Sequence, residues 1–258
     1  DAALRRDKGH GFPLTYIPHA IERVFRPTDV APFRELAGIP PEAFVVGIVA
    51  ANTGGAHYDR KGFGDMLTAL APFMARHGDV VVYLHTNPTG HEGIHLPALM
   101  RVAGIDQRRI AWADQYLYKK QSIRDEDMAS VYSAFDVLLA TSHGEGFGLP
   151  VIEAQACGVP VIVTNATSQP ELVGEPFRGD RPGSRREPSG WVVEAEPDWN
   201  SKHGSWFARP RIEHITAALE DAYAHRGDAE ILKAAVAKAA GYDADAVFEA
   251  HWRPYLAG

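Results

Sequence analysis

A continuous apolar run at residues 43–52, AFVVGIVAAN, constrains the fold more than any other feature of the sequence. The run contains several β-branched residues and lacks the alternation of apolar and polar residues that a half-exposed strand shows. Such a run is typical of a strand that is covered on both faces, as the strands of parallel sheets are. It therefore predicts an α/β fold, because parallel strands need long crossover connections that are usually helices.

Strand patterns and helix patterns alternate along the chain after this run. Strands are predicted at 43–52, 79–86, 108–114, 136–142 and 159–165. Helices are predicted at 63–74, from near His95 to Gly104, at 125–136 and at 149–158. Apolar residues recur at spacings of three and four in the first, share one face in the third, and Gly78, Gly104 and Gly158 close the first, second and fourth. The alternation predicts a doubly wound, Rossmann-like parallel sheet with helices on both faces. In such sheets, ligands bind beyond the carboxyl ends of the strands.

Residues 176–210 interrupt this alternation, because they are rich in Pro, Gly, Arg and Trp. We interpret them as an irregular excursion around a short strand at 190–195. The pattern becomes helical again from Ile212 to the end of the chain. We expect residues 1–258 to form a single domain, since the length lies near the upper size for one hydrophobic core.

Charge and composition exclude several classes of protein. The formal net charge is −7, whereas a nucleic-acid partner requires a basic field, so none is expected. The single cysteine, Cys157, lies among small and apolar residues, which predicts a packing role and a reducing compartment. No apolar stretch approaches the roughly 18 to 20 residues of a membrane span, and no secretory signal opens the chain, so we expect a cytoplasmic protein. Because the chain starts at Asp1 in what reads as a continuing segment, we expect a fragment.

Residues 91–95, HEGIH, have the letter pattern of a zinc peptidase. That pattern has a mechanism only on a helix, where both histidines would lie on one face and reach the same zinc ion. Two prolines and two glycines in and around the motif disfavour a helix there, and a third ligand at the expected spacing is missing. We therefore predict a polar loop and no metal site.

A glycine-rich turn at residues 144–148, GEGFG, follows a predicted strand and opens directly onto a predicted helix. The first N–H groups of a helix are unpaired and its dipole is positive at that end, and glycines allow an anion to approach the backbone. The turn therefore predicts a phosphate-binding site. It is not the dinucleotide fingerprint, because the GxGxxG spacing is absent.

Glu145 lies in this turn and Glu153 lies inside the helix, with seven residues between them. The carboxylate of Glu153, about one helical turn past the helix start, can accept two hydrogen bonds from a ribose diol. Glu145, in the glycine-rich turn, would lie beside the group that the phosphate carries. Either glutamate alone is as readily explained as a solvated surface charge. The two together, in and after a glycine-rich turn, favour a binding site.

The run HGEGFGLPVIEAQACGVPVI, residues 143–162, resembles the signature of retaining glycosyltransferases of the family-four type, the glycosyl transferases group 1. The donor-binding domain of these enzymes has two glutamates at this spacing in the C-terminal half of a GT-B fold. Further segments that resemble the family are 17–27, 59–70, 126–142 and 167–174.

The resemblance implies roles for individual residues. Arg60 and Lys61 match the basic pair that grips the donor diphosphate, a role that suits an Arg fork and a Lys point charge. Glu153 matches the ribose-binding glutamate, and Glu145 matches the residue that faces the donor sugar and the diphosphate. We expect Glu145, Lys61 and Arg60 to form the catalytic group. Further residues expected to contact the donor are Gly146, Phe147, Gly148, Leu149, His143, His85 and Asn87.

The resemblance also implies an activity. The chain would bind a nucleotide-diphosphate sugar of the UDP or GDP type, and a hexose would pass to an acceptor hydroxyl with retention of configuration. Neither a metal ion nor another cofactor is expected, because fixed hydrogen-bond donors can stabilise the leaving diphosphate. In the family, a second domain holds the acceptor, so we expect this chain to be inactive without its N-terminal domain.

The expected partners follow from this layout. They are the nucleotide sugar, an acceptor glycan, lipid or small molecule, and the missing N-terminal domain; a peripheral membrane association is left open for the full-length enzyme alone. Residues 1–28 would lead into the domain, and residues 243–258 would form a helix that docks on the missing one. Residues 176–210 exceed the simplest family layout, and an oligomer contact and an acceptor-side flap are both open for them.

Two alternatives belong to other classes. The chain could be a non-catalytic nucleotide-sugar-binding module or one half of a two-chain enzyme. It could also be a nucleotide-sugar epimerase of similar fold, although such an enzyme would not need the paired glutamates.

Overall fold

The computed structural model describes residues 15–53, 58–89, 93–174, 184–201 and 203–257. The strands are β1 Phe44–Val49, β2 Val80–His85, β3 Ile110–Trp112, β4 Val137–Ala140, β5 Val161–Thr164, β6 Arg185–Glu187, β7 Gly190–Val193, β8 Ala195–Asn200 and β9 Ser205–Pro210. Strands β1 to β7 form one sheet in the order β3-β2-β1-β4-β5-β7-β6. Neighbouring strands in this sheet are parallel except β6 and β7, which are antiparallel. The order reverses between β1 and β4, which is the switch point where such sheets bind ligands.

Helices cover both faces of the sheet. They are α1 Ala31–Leu36, α2 Phe63–Arg76, α3 Leu96–Ala103, α4 Gln115–Lys119, α5 Asp125–Ser133, α6 Leu149–Ala156, α7 Ile212–Ala224, α8 Ala229–Ala240, α9 Ala244–Val247 and α10 Arg253–Ala257. Short 3₁₀ turns lie at Gln107–Arg109 and Gln169–Leu172, and a π-helical turn at Phe248–Trp252 joins α9 to α10. The doubly wound α/β fold predicted from the sequence is confirmed.

Strand β1 shows how the sequence builds two cores. Phe44, Val46 and Ile48 are fully buried in a cluster with residues of α2, α3 and α7. Val45 points to the opposite face and belongs to a second cluster, which contains residues of α5 and α6. Because successive side chains of a strand point to opposite faces, a strand between two helical layers needs apolar residues at every position.

Gly47 is the exception within β1. A Cβ atom at this position would lie 2.1 Å from Cδ2 of Phe135, so the ring packs directly on the backbone of the strand. This close approach requires a glycine in the centre of the sheet.

The segment after β2 begins a helix where the sequence predicts one. Helix α3 starts after His95, whose Nδ1 accepts a hydrogen bond from the Ala98 N–H at 3.1 Å, and it ends at Gly104 in the left-handed conformation. His91 and Glu92 of the HEGIH motif lie outside the described residues. In the part of the chain that is described, no group of three or more His, Cys, Asp and Glu side chains could hold a metal ion.

The prediction for residues 176–210 was wrong in one respect. The strand expected at 190–195 is present as β7, but residues 195–210 form a second two-stranded sheet, the antiparallel hairpin β8–β9. Pro197 within β8 and polar residues at the turn hid this hairpin, since a proline argues against a strand in a sequence pattern.

The two ends of the described chain meet. Ile21 forms an isolated parallel bridge with Asp243, so the segment that leads into the domain contacts the start of the C-terminal tail. Phe248, Trp252 and Tyr255 of that tail are exposed. None of the helices in the described ranges combines the length and the apolar character that a membrane crossing requires.

Candidate functional site

Two turns meet at the switch point of the sheet. The chain leaves β1 and enters α2 through the basic turn, residues 58–62, and it leaves β4 and enters α6 through the glycine turn, residues 143–148. Strands β1 and β4 are hydrogen-bonded neighbours. Their carboxyl ends therefore place the two turns side by side, although 84 positions separate Lys61 from Glu145 in the sequence.

A compact group of charges joins these turns. The Lys61 ammonium donates a hydrogen bond to Oε1 of Glu145 at 2.5 Å. Arg60 Nη1 donates to the carbonyl of Gly144 at 2.9 Å and lies 3.5 Å from Oε2 of Glu145. Two cations thus surround one carboxylate, which leaves a net positive charge of about one at the mouth of the turn. An anion that enters here meets both cations.

The glycine turn ends in an uncapped helix N-terminus. Gly148, with φ +109°, is the N-cap of α6, and no side chain caps its first N–H groups. A Cβ atom at Gly146 would meet nothing within 4 Å, so the turn is open on that side. Leu149 is exposed beside it, whereas the Phe147 ring is buried against His19. Pro150 has no N–H, and the Val151 N–H is bonded to the carbonyl of Gly148, so an anion at this positive helix end would meet the N–H of Leu149 and those of the turn before it.

The backbone of the turn is fixed from behind by the segment that follows β5. Ser168 Oγ lies 2.7 Å from the carbonyl oxygen of Phe147 and 3.1 Å from that of Glu145, and its single proton is shared between them. The Glu145 N–H donates to Oγ1 of Thr167, which has a positive φ of 56°. These bonds fix the backbone of the turn, with both carbonyl groups directed toward Ser168.

Glu153 lies in the middle of α6 and is partly buried. Its Oε2 accepts a hydrogen bond from the hydroxyl of Tyr132 at 2.6 Å. Burial raises the pKa of Glu153, the hydrogen bond from Tyr132 lowers it, and the charge of Asp125 raises it, with a net upward shift. The described contacts engage only one of the two carboxylate oxygens, so the other is available to a hydroxyl group.

The structure gives His143 a different environment from the predicted sugar contact. Its ring is buried, with Nε2 2.7 Å from Oδ2 of Asp65 and Nδ1 3.2 Å from the hydroxyl of Tyr58. Burial opposes ionisation of Asp65, but hydrogen bonds from His143 and Arg209 hold the pKa of its carboxyl below the usual value. Both ring nitrogens therefore face protein groups, and His143 connects the two turns instead of pointing outward.

His85 and Asn87 lie at the carboxyl end of β2, as the sequence places them. Burial lowers the pKa of His85 to about 4, and its ring packs edge-on against Tyr118 of α4. The side-chain oxygen of Asn87 accepts a hydrogen bond from the Thr89 N–H. Since its pKa is so low, His85 is neutral at physiological pH and presents a polar but uncharged ring.

Sequence reasoning missed four groups that surround the predicted site. They are Tyr58, Asp65, Tyr132 and Arg209. Asp65 has the pattern of an acidic residue in the first turn of a helix, where it would favour the dipole without any partner. Arg209 lies 144 positions from Asp65, so no local signal could connect them.

Residues 105–200 match the family model described as glycosyl transferases group 1. D-inositol 3-phosphate glycosyltransferase of Segniliparus rotundus is 30% identical over 207 residues, which cover 79% of this chain and 40% of that protein. The chain thus spans less than half the length of this curated relative.

Solved structures share the fold. The C-terminal domain of a glycosyl transferase group 1 family protein from Francisella tularensis aligns with a TM-score of 0.62 at 19% identity, over 87% of this chain and 99% of that domain. HepE of Anabaena in complex with UDP-glucose aligns with a TM-score of 0.65 at 18% identity, over 94% of this chain and 57% of HepE. The family match and the curated relative place the chain in the glycosyl transferases group 1 family. The solved structures show that it shares the Rossmann-like fold of GT-B glycosyltransferases.

Proposed function

We propose that this chain is the donor-binding half of a retaining hexosyltransferase that uses a nucleotide-diphosphate sugar of the UDP or GDP type. One observation supports the proposal above all others: Lys61, Arg60 and the uncapped start of α6 converge on Glu145 at the switch point of the sheet. Glu153 follows on the same helix. HepE binds UDP-glucose on a similar fold, which favours a nucleotide sugar as the ligand.

The diphosphate would bind between the basic turn and the glycine turn. Its oxygens would accept hydrogen bonds from Lys61, from Arg60 and from the N–H groups of the glycine turn and of Leu149, and they would compete with Glu145 for the two cations. Charge-assisted hydrogen bonds of this kind are about twice as strong as neutral ones. Three sources of positive charge suit a leaving group with two phosphates.

Glu153 would hold the ribose of the nucleotide. Tyr132 fixes the carboxylate through Oε2, so Oε1 would be the oxygen that accepts from the ligand. A carboxylate that accepts a ribose hydroxyl gains about 1.5–3 kcal/mol per bond when it is desolvated. The partial burial of Glu153 suits this role, because water competes less for the carboxylate.

The transfer step would proceed at the face of the sugar that carries the diphosphate. The bond from the anomeric carbon to the diphosphate oxygen breaks as the bond to the acceptor oxygen forms on the same face, and the acceptor proton moves to the departing diphosphate. Lys61, Arg60 and the helix N–H groups stabilise the charge that develops on the leaving group. These fixed donors would allow the reaction without a metal ion.

The acceptor would be held mainly by another domain of the full-length enzyme. We propose that this N-terminal GT-B domain faces the switch point and contacts the C-terminal tail, whose Phe248, Trp252 and Tyr255 are exposed. Curated relatives are more than twice as long as the matched segment, which supports a further domain. Its acceptor, a glycan, a lipid or a small molecule, would present a hydroxyl group to the donor.

Calorimetric titration with UDP, GDP and ADP in excess EDTA tests the proposal. We expect one nucleotide to bind without metal, and Glu153→Ala to weaken that binding by about 10- to 100-fold through the loss of charge-assisted ribose hydrogen bonds. Glu126→Ala is the matched control, since Glu126 is an exposed glutamate on α5. Equal effects of the two substitutions would contradict the role of Glu153, and strict dependence on a divalent cation would contradict metal independence.

A further inference from the structure

The hairpin β8–β9 presents two different faces. Residues opposite each other in an antiparallel pair share a face, so the pair Asp198 and Phe207 lies on one side and the pair Trp199 and Trp206 on the other. The two tryptophans are 52% and 67% exposed. The face with Asp198 and Phe207 instead lies against the two turns of the candidate site.

The hairpin packs directly on the backbone of the glycine turn. A Cβ atom at Gly144 would lie 2.8 Å from Cδ1 of Phe207, so the ring needs a glycine at that position. The Ala208 N–H donates to the carbonyl of His143 at 2.9 Å, and the His143 N–H donates to the carbonyl of Arg60 at 2.9 Å. A chain of backbone hydrogen bonds therefore runs from the hairpin through the glycine turn to the basic turn.

A second connection passes through side chains. Arg209 donates from Nη2 and Nε to Oδ1 of Asp65 at 2.8 and 3.2 Å, while His143 Nε2 lies 2.7 Å from the other oxygen. The side chains of Asp65 and His143 are almost fully buried, whereas Arg209 reaches in from the surface. A buried carboxylate is stable only with partners of this kind, so Arg209 compensates the charge of Asp65.

Tyr58 completes the arrangement from the basic turn. Its hydroxyl donates to Asp198 of β8 at 3.2 Å and lies 3.2 Å from His143 Nδ1. Its ring packs against that of Phe207, with ring centres 5.2 Å apart. The hairpin therefore contacts both turns of the site by polar and by apolar groups.

We propose that the hairpin β8–β9 is a positioning element for the diphosphate side of the donor site, and that Arg209 is the positioning residue through which it acts on Lys61 and Glu145. Lys61 lies four residues before Asp65, in the turn that leads into α2, and Glu145 follows His143 by two residues, so the Asp65–His143 contact holds the two turns that carry the ammonium and the carboxylate together. Arg209 stabilises that contact without touching the ligand. The assignment rests on the proposed function, since it assumes a diphosphate at this place.

The first arm of the test needs no nucleotide. Hydrogen exchange of the amides in residues 143–148 and of Ala208 is compared between the unchanged chain, Arg209→Ala and the control Arg211→Ala. Arg211 is also an arginine at the base of the hairpin, but its Nη2 pairs with Glu196 at 2.8 Å and not with Asp65. We expect exchange in the glycine turn to be about three- to tenfold faster in Arg209→Ala and unchanged in Arg211→Ala.

The second arm compares a nucleoside diphosphate with its nucleoside in calorimetric titrations. A positioning role predicts that Arg209→Ala weakens binding of the diphosphate by about three- to tenfold and leaves binding of the nucleoside unaffected, because the described side-chain hydrogen bond of Glu153 goes to Tyr132 and not to the hairpin. Arg209→Lys should restore part of the affinity, since it keeps the charge but loses the forked geometry. In a Lys61→Ala background, Arg209→Ala should weaken binding of the diphosphate little further, because Arg209 is proposed to act through Lys61.

The outcomes separate the two proposals. If no nucleotide binds to the unchanged chain, the proposed function fails for this chain, and the exchange experiment alone decides whether Arg209 orders the glycine turn. Equal exchange in the two arginine variants would overturn the positioning role in that case. If nucleotides bind, the positioning role would be overturned by an equal loss of affinity for nucleoside and diphosphate in Arg209→Ala. It would also be overturned if the effects of Arg209→Ala and Lys61→Ala on diphosphate affinity were fully additive.

Discussion

Replacement of Tyr132 by phenylalanine tests whether a single buried hydroxyl holds Glu153 in its ionised form. Tyr132 has no exposed surface, and its hydroxyl donates to Oε2 of Glu153 at 2.6 Å. Phenylalanine keeps the ring and its packing, so the substitution removes little more than the hydrogen-bond donor. Oε2 of Glu153 would then stay partly buried without a hydrogen-bond donor, and such a loss costs more for a charged group than for a neutral one.

The magnitude depends on the protonation state of Glu153. A hydrogen bond to an ionised carboxylate contributes about 1.5–3 kcal/mol to stability, whereas one to a neutral group contributes about 0.5–1.5 kcal/mol. Tyr132 lowers the pKa of Glu153, which burial and then Asp125 raise, so its loss moves that pKa further upward. The folded-state pKa already lies above the usual value, hence the destabilisation should be largest at pH values above it and should decrease as Glu153 becomes protonated.

Urea unfolding from about pH 4 to about pH 8 measures this effect, with Tyr83→Phe as the control. Tyr83 is another buried tyrosine of the same core cluster, and no carboxylate contacts its hydroxyl in the described part of the chain. We expect Tyr132→Phe to be less stable than the control by about 1.5–3 kcal/mol at the alkaline end and by less at the acidic end. As the pH is lowered, nucleotide affinity should be lost at a higher pH in Tyr132→Phe than in the unchanged chain, because the pKa of Glu153 is higher in the variant. A difference between the two variants that is the same at every pH would refute the reasoning.

Two further predictions concern the basic turn and the core. Gly62 has φ +73°, and a Cβ atom there would lie 2.6 Å from the carbonyl oxygen of Thr141, so Gly62→Ala should destabilise the fold by about 1–3 kcal/mol in urea unfolding. Gly78 has no positive φ, and a Cβ atom there would meet nothing within 4 Å, so Gly78→Ala should destabilise the fold much less. Equal losses of stability in the two variants would contradict the strain at Gly62. Burial raises the pKa of the Cys157 thiol to about 12, so a thiol-reactive chromophore should label it slowly in the folded protein at neutral pH and rapidly in urea. Fast labelling without unfolding would show that the thiol is accessible.

The sequence predicted the elements that are defined by local pattern. Apolar periodicity located strands β1 to β5 and helices α2, α3, α5 and α6, because burial on one or both faces leaves a period along the chain. The observed strand ends differ from the predicted ones by a few residues. The hairpin β8–β9 was missed because Pro197 argues against a strand in a sequence pattern. The turn from Gly144 to Gly148 and the spacing of Glu145 and Glu153 were also visible, since turn and helix are contiguous.

The contacts between segments distant in sequence could not be predicted in this way. Strand order, in particular the pairing of β1 with β4, decides that Lys61 faces Glu145. The same packing buries His143, which the sequence had suggested as a donor contact, and brings Asp65 and Arg209 to it. Nothing in the local spacing of these residues indicates a partner.

The amino-acid sequence by itself therefore determined the fold class, the glycine-rich turn and the positions of the two glutamates on the turn and on the helix, because each depends on side chains within one or two turns of the backbone. Tertiary structure alone decided which cations meet Glu145, that Tyr132 holds Glu153, and that a hairpin with Arg209 supports the site from outside. The physical reason is that buried charges require partners, and those partners are selected by the arrangement of the sheet and its connections rather than by distance along the chain.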